Sequence, residues 1–145
     1  MQVAIQRVDA SLPLPSYHTA GAVGFDLITR ETTVIEPKKI ALVPGNVIVK
    51  VPEGHALLIL PRSSLPRKKA LVCPHSIGVI DCDYHGPEDE IKVQVQNISD
   101  APVTVERGER IAQGDPIGSA ADNRQRITVE LRRNGRPIDI AALIS

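Results

Sequence analysis

Apolar and polar residues alternate along this chain in runs of only four or five, and a glycine or proline closes almost every run. Val47-Ile48-Val49-Lys50-Val51, Ile91-Lys92-Val93-Gln94-Val95, Val103-Thr104-Val105-Glu106 and Ile127-Thr128-Val129-Glu130-Leu131 are the clearest cases. A period of two marks a strand with one buried face. Between the runs lie Pro44-Gly45, Pro52-Glu53-Gly54, Gly86-Pro87, Arg107-Gly108 and Asn134-Gly135, and 12 prolines with 10 glycines leave no room for a long helix. Many short strands parted by turns pack as a sandwich, barrel or jelly roll. One short helix is expected at 64–69, with Ser63 or Ser64 as its cap and Pro66 in its first turn.

At 145 residues the chain has the size of one ordinary domain, 1–145, able to bury a core without disulfides or a structural metal. Lys+Arg 17 and Asp+Glu 17 cancel, and the aromatic side chains are Tyr17, Phe25 and Tyr84, so the basic surface and stacking platforms of a polymeric nucleic-acid binder are lacking. Cys73 and Cys82 form no Cys-x-x-Cys element, and the expectation is two buried thiols in a reducing cytosol. The N-terminus has no signal-peptide pattern, and the apolar runs fall far short of the roughly 18 residues of a membrane span. A soluble, cytoplasmic protein with no membrane partner is expected.

Four segments concentrate glycine, charge and hydroxyls beyond the needs of a turn: residues 20–27 (AGAVGFDL), 61–65 (PRSSL), 78–86 (GVIDCDYHG) and 108–113 (GERIAQ). Arg62-Ser63-Ser64 brings a guanidinium fork, two hydroxyls and free backbone N–H groups together at a helix start, which suits a phosphate or simply caps a turn. Asp81, after the apolar Val79-Ile80 and before Asp83 and Tyr84, is either a general base held beside a hairpin or an ordinary hairpin-turn carboxylate.

In order and at similar separation, the four segments resemble the first four motifs of the trimeric dUTPase family, from about Ala20 to Gln113. The resemblance implies an all-β fold of the distorted jelly-roll (β-clip barrel) type with at most one short helix, assembled as a homotrimer with sites between subunits. It implies hydrolysis of dUTP to dUMP and pyrophosphate with Mg²⁺. By that likeness Asp81 activates the attacking water, and Tyr84 lies against the deoxyribose. Backbone groups across Gly78, Val79 and Ile80, up to Asp81, read the uracil. Arg62, Ser63, Ser64 and Gln113 hold the phosphate chain. Lys92 matches a further substrate contact when Pro87-Glu88-Asp89 is treated as an insertion. Asp26 matches an aspartate that supports the magnesium's water shell or pairs with Arg62; the metal itself rides mainly on the three phosphates.

The chain departs from the pattern in two places. His75 stands where the bacterial family usually carries an asparagine that helps recognise the base, and an imidazole cannot reproduce a carboxamide's pair of hydrogen bonds. The glycine-rich fifth motif is not found: residues 122–145 form an atypical segment with an Asn134-Gly135 hairpin signal and an apolar end from Ile140 to Ile144. The expectation is that this hairpin packs on the trimer body and that Arg132, Arg133 or Arg136 replaces part of the absent charge. Two other readings remain: a trimeric nucleotide-binding or interaction module with little turnover, and dCTP deaminase. The deaminase has a catalytic glutamate three residues before an asparagine; Gln94 before Asn97 cannot shuttle its proton.

Overall fold

Short strands with one apolar face can bury that face only by stacking sheet on sheet, and this is what the chain does. The computed structural model describes residues 3–20, 22–117, 131–133 and 136–138. In chain order the strands are β1 (Ala4–Arg7), β2 (Phe25–Ile28), β3 (Thr33–Ile35), β4 (Ile40–Pro44), β5 (Val47–Lys50) and β6 (Ala56–Pro61). The single helix α1 (Leu65–Lys69) comes next. After it run β7 (Leu71–Val72), β8 (Gly78–Ile80), β9 (Lys92–Asn97), β10 (Val103–Val105), β11 (Arg110–Ile117), β12 (Leu131–Arg133) and β13 (Arg136–Ile138). A four-stranded sheet, β2-β11-β6-β8, and a three-stranded sheet, β4-β9-β7, are accompanied by the ribbons β1-β5, β3-β10 and β12-β13, all antiparallel.

Both sheets feed one core. Leu27, Leu57 and Ile111 come from the larger sheet, Val43, Val93, Val95 and Leu71 from the smaller, and Val47 and Val49 from β5, all essentially inaccessible to water. Each such side chain contributes about 1.5–3 kcal/mol relative to an exposed one. The predicted alternation is visible in β9, where Val93, Val95 and Asn97 are buried and Lys92 is exposed. In β5 it fails: Val47, Ile48 and Val49 are all buried, as expected of an apolar run covered on both faces.

The polar residues drawn into the interior are all paired. Asn97 donates to the carbonyls of Ile35 (2.9 Å) and Ala101 (2.7 Å) and accepts from Ser99, tying the end of β9 to β3 and to the turn before β10. Glu90 takes a fork from Arg30 (3.0 and 3.1 Å) and the backbone N–H of Asn46 (2.9 Å). That carboxylate raises the Arg30 guanidinium further above its ordinary value.

Three sequence expectations need correction or limit. Cys73 is only half-buried and Cys82 is exposed, because Cys82 sits on the short turn closed by the Tyr84 N–H on the Asp81 carbonyl, with no layer above it. Ser64 is the helix N-cap residue but makes no side-chain capping bond. The predicted strand at 127–131 falls outside the described residues except for Leu131. The hairpin signal at 134–135 lies between the paired β12 and β13. The side chains of Arg132, Arg133 and Arg136 and the stretch 140–144 are likewise outside the description. No helix among the described residues is long and apolar enough to cross a membrane.

The helix ends on Ala70 in the left-handed region (φ 51°, ψ 34°), its N–H bonded to the Pro66 carbonyl. A Cβ is strained there and glycine is not. Ala70→Gly is expected to stabilise the protein by about 0.5–1 kcal/mol, read as a higher urea midpoint at unchanged slope.

Candidate active site

The segments singled out in the sequence come together as two clusters served by one strand. β6 pairs with β11 on one side, Gln113 facing Leu60, and with β8 on the other, Gly78 facing Ile59. Arg62 follows directly on β6, so the positions of Ile59 and Arg62 are about 10 Å apart along the chain.

The first cluster is built on Asp26, which is 5% exposed on β2. Its carboxylate accepts from Arg62 Nη1 through Oδ1 and from Arg110 Nη1 through Oδ2 (3.3 Å), with Gln113 Nε2 at 3.5 Å. The sequence reading placed Asp26, Arg62 and Gln113 here and missed Arg110. The reason is a strand irregularity. Residues three apart on a regular strand face opposite sides, but the register of β11 on β2 shifts between Arg110 and Ala112. The bulge restores Arg110 and Gln113 to the same carboxylate. Arg110 in turn touches His18 Nδ1 (3.2 Å), a residue that carried no sequence signal. Arg62, Ser64, Lys68 and Arg110 line an open hollow of about 290 Å³, closed on one side by the Lys69–Glu109 ion pair (2.7 Å). Ser63 is exposed beside it.

Close approach of β2 and β11 depends on glycine. A Cβ on Gly114 would lie 2.7 Å from the Phe25 ring, and one on Gly24 would lie 3.1 Å from the Gly114 carbonyl.

The second cluster is a cavity of about 270 Å³ between β8 and β9, close to the lower end of small-molecule sites at about 300 Å³. Gly78, Val79 and Ile80 form one wall, Lys92, Val93 and Gln94 the opposite one, with His75, Cys73, Leu42 and Ile59 around them. Burial pushes the Cys73 thiol above its ordinary value, which keeps it a neutral part of the wall. The Nε2 of His75 is 3.6 Å from where a Cβ on Gly78 would stand, so the ring lies over the glycine. The segment expected as a hairpin is an open one: β8 pairs with β6, while β9 pairs with β4 and β7. The second edge of β8 is unpaired among the described strands and offers backbone donors and acceptors to the cavity.

Asp81 directly follows the wall residue Ile80 and is exposed in the single chain, as is Tyr84, 39% accessible, whose hydroxyl is 3.5 Å from the Glu90 carbonyl. Of the predicted site residues, Asp26, Arg62, Ser64 and Gln113 gather at the first cluster with Ser63 beside it. His75, Gly78, Val79, Ile80 and Lys92 gather at the second. Asp81 and Tyr84 stand on the turn at its rim.

The scaffold is built of strands with one short helix, and one of its strands joins a free strand edge beside a small cavity to paired arginines on a buried carboxylate. The chain matches the dUTPase family model over residues 10–113. It is 41% identical over 114 residues to the deoxyuridine 5'-triphosphate nucleotidohydrolase of Hydrogenobaculum sp., covering 78% of this chain and 77% of that one. The crystal structure of dUTPase from Streptococcus mutans superposes with a TM-score of 0.72 at 38% identity, covering 78% of this chain and 93% of that one. A mutant dUTPase from phage phi11 of S. aureus, described with a structural Mg(II) ion, shares the fold at 22% identity and a TM-score of 0.72 over 94% of this chain and 98% of that one. The chain belongs to the dUTPase family, and its fold is the distorted jelly roll of that family.

Gly114→Ala would drive a methyl into the Phe25 ring, next to Asp26. A loss of about 1–3 kcal/mol in unfolding free energy is expected from urea titration.

Proposed function

We propose that this chain hydrolyses dUTP to dUMP and pyrophosphate, with the ring in the β8–β9 cavity and the phosphates on the Asp26-held arginines. The observation that carries the reading is the pairing of these two features on one strand, β6. Uracil presents an acceptor, a donor and an acceptor along one edge, and the free edge of β8 at Gly78 to Asp81 presents the complementary alternation. Glycine at 78 lets the base approach the backbone. His75 lies over that wall and Lys92 and Gln94 face it, so these three side chains are the ones placed to tune base choice. Tyr84 packs against the sugar and disfavours a 2′-hydroxyl.

Arg62, Ser63, Ser64 and Gln113 hold the phosphate chain, the guanidinium bringing both charge and a fork of donors. Asp81 takes a proton from a water, whose oxygen bonds to the α-phosphorus as the bond to the bridging oxygen breaks. Pyrophosphate leaves with the electron pair and dUMP keeps the new oxygen. A Mg²⁺ ion would be carried mainly by the phosphate oxygens and retained waters. When bound, that ion would neutralise charge on the leaving pyrophosphate, and the Asp26 carboxylate would accept hydrogen bonds from its waters while also holding the arginines.

The chain acts as one domain, 1–145, in a homotrimer. Ile40, Leu42, Val34 and Ile98 are each about half exposed on β4, β3 and the turn after β9, an apolar surface that a second copy would cover. With sites between subunits, a neighbouring copy would also enclose Asp81 and Tyr84, which one chain leaves open. The cytoplasmic nucleotide pool is where this substrate is found, and this reading places the chain there.

Pyrophosphate release from dUTP, with little from dCTP, dTTP or UTP, is the expected result. Asp81→Asn is expected to lose about 10²–10⁴-fold in turnover while binding a non-hydrolysable dUTP analogue within a few-fold of the parent. Ammonia released from dCTP would instead mark a deaminase, and binding without product a module without turnover.

A further inference from the structure

We propose that His18 is a positioning residue for the phosphate cradle, holding Arg110 in the orientation that receives the polyphosphate; this deepens the hydrolase reading and rests on the same site. Arg110 sits on an exposed stretch of β11, and a long side chain there is disordered by default. Here one of its nitrogens, Nη1, is shared between two acceptors from different parts of the chain: Asp26 Oδ2 at 3.3 Å and His18 Nδ1 at 3.2 Å. Among the described residues no hydrogen bond engages its Nε or Nη2. Those donors stay free beside the hollow that Arg62, Ser64 and Lys68 also line. Two acceptors on one nitrogen fix the plane of the guanidinium, where one would leave it to swing.

His18 is itself held on a fixed segment. The Asp26 N–H donates to the Ser16 carbonyl (3.2 Å) and the Ala22 N–H to the Thr19 carbonyl (3.1 Å), and the Tyr17 ring stands edge-on to Phe25 at 6.2 Å. The segment that carries the imidazole is therefore pinned on β2 beside the carboxylate that anchors both arginines. To accept from Arg110, the ring must carry its proton on Nε2 and leave the Nδ1 lone pair free. A glutamine can present an amide oxygen to the same nitrogen, and an alanine cannot.

Affinity for inorganic tripolyphosphate, measured by calorimetry at pH 8, tests the assignment without requiring turnover. His18→Ala is expected to weaken binding by about three- to tenfold, and His18→Gln to stay within twofold of the parent. In an Arg110→Met background His18→Ala should make less than a twofold difference, because the group it orients is gone. With dUTP, the alanine change should appear in KM with kcat held within about twofold. Unfolding midpoints should not move, since His18 is exposed. Equal affinity of the alanine variant and the parent, equal weakening by glutamine and alanine, a loss that persists without Arg110, or no binding of tripolyphosphate by the parent would each overturn it. Coupling of His18 to Arg110 without pyrophosphate release from dUTP would refute the hydrolase reading alone; turnover without coupling would refute this one alone.

Discussion

A carboxylate shut away from water is tolerated only where cations and donors surround it, and the charged end of this molecule depends on one such group, Asp26. Its two oxygens gather Arg62 from the end of β6 and Arg110 and Gln113 from β11, so three separate stretches of chain meet at one side chain. Removing a single partner from a buried ion pair typically costs about 3–5 kcal/mol, whereas exposed pairs such as Lys38–Asp100 contribute at most about 1 kcal/mol. The arrangement also does chemical work. Two guanidinium groups that would repel one another are kept adjacent, and a net positive charge is left at the cluster.

The cavity cluster makes the opposite demand on the backbone. There the useful feature is what β8 leaves unmade: a strand edge with its donors and acceptors free. Free edges invite pairing with other chains, and proteins keep them short. β8 is three residues long, follows the turn through His75 and Ser76, and gives way at once to the Asp81–Tyr84 turn. The edge is thus too short to template a foreign strand.

Much of this was legible in the sequence because period-two burial and glycine–proline punctuation are local signals. The strands at Val47, Val93 and Val103 and the short helix at Leu65 follow from them. The site was legible only as far as its residues lay in recognisable segments. Arg110 was in view inside GERIAQ yet carried no role; a regular strand would turn it away from the face of Gln113, and the bulge that reverses this has no marker in the sequence. His18 joins the site across 92 positions of chain and could not be found by spacing. Cys82 was misjudged because a thiol's average preference for the interior says nothing about a turn with no layer above it.

The stretch Pro87-Glu88-Asp89 before Lys92 is closed off by a second buried carboxylate, Glu90. The extra residues are absorbed in a turn of their own, with the Gly86 N–H on Asp89 Oδ2 (2.7 Å) and the Asp89 N–H on the Gly86 carbonyl (3.1 Å). Immediately after, Glu90 is locked by the Arg30 fork and the Asn46 N–H, while Ile91 exchanges backbone bonds with Gly45 and Val47. The chain therefore enters β9 from a fixed point whatever the length of the turn before it. Two positions on, Lys92 pairs with Pro44 and lies in the cavity wall opposite Gly78. Glu90 thus does beside the cavity what Asp26 does beside the hollow: a buried charge, placed near where a strand begins, fixes the chain around it.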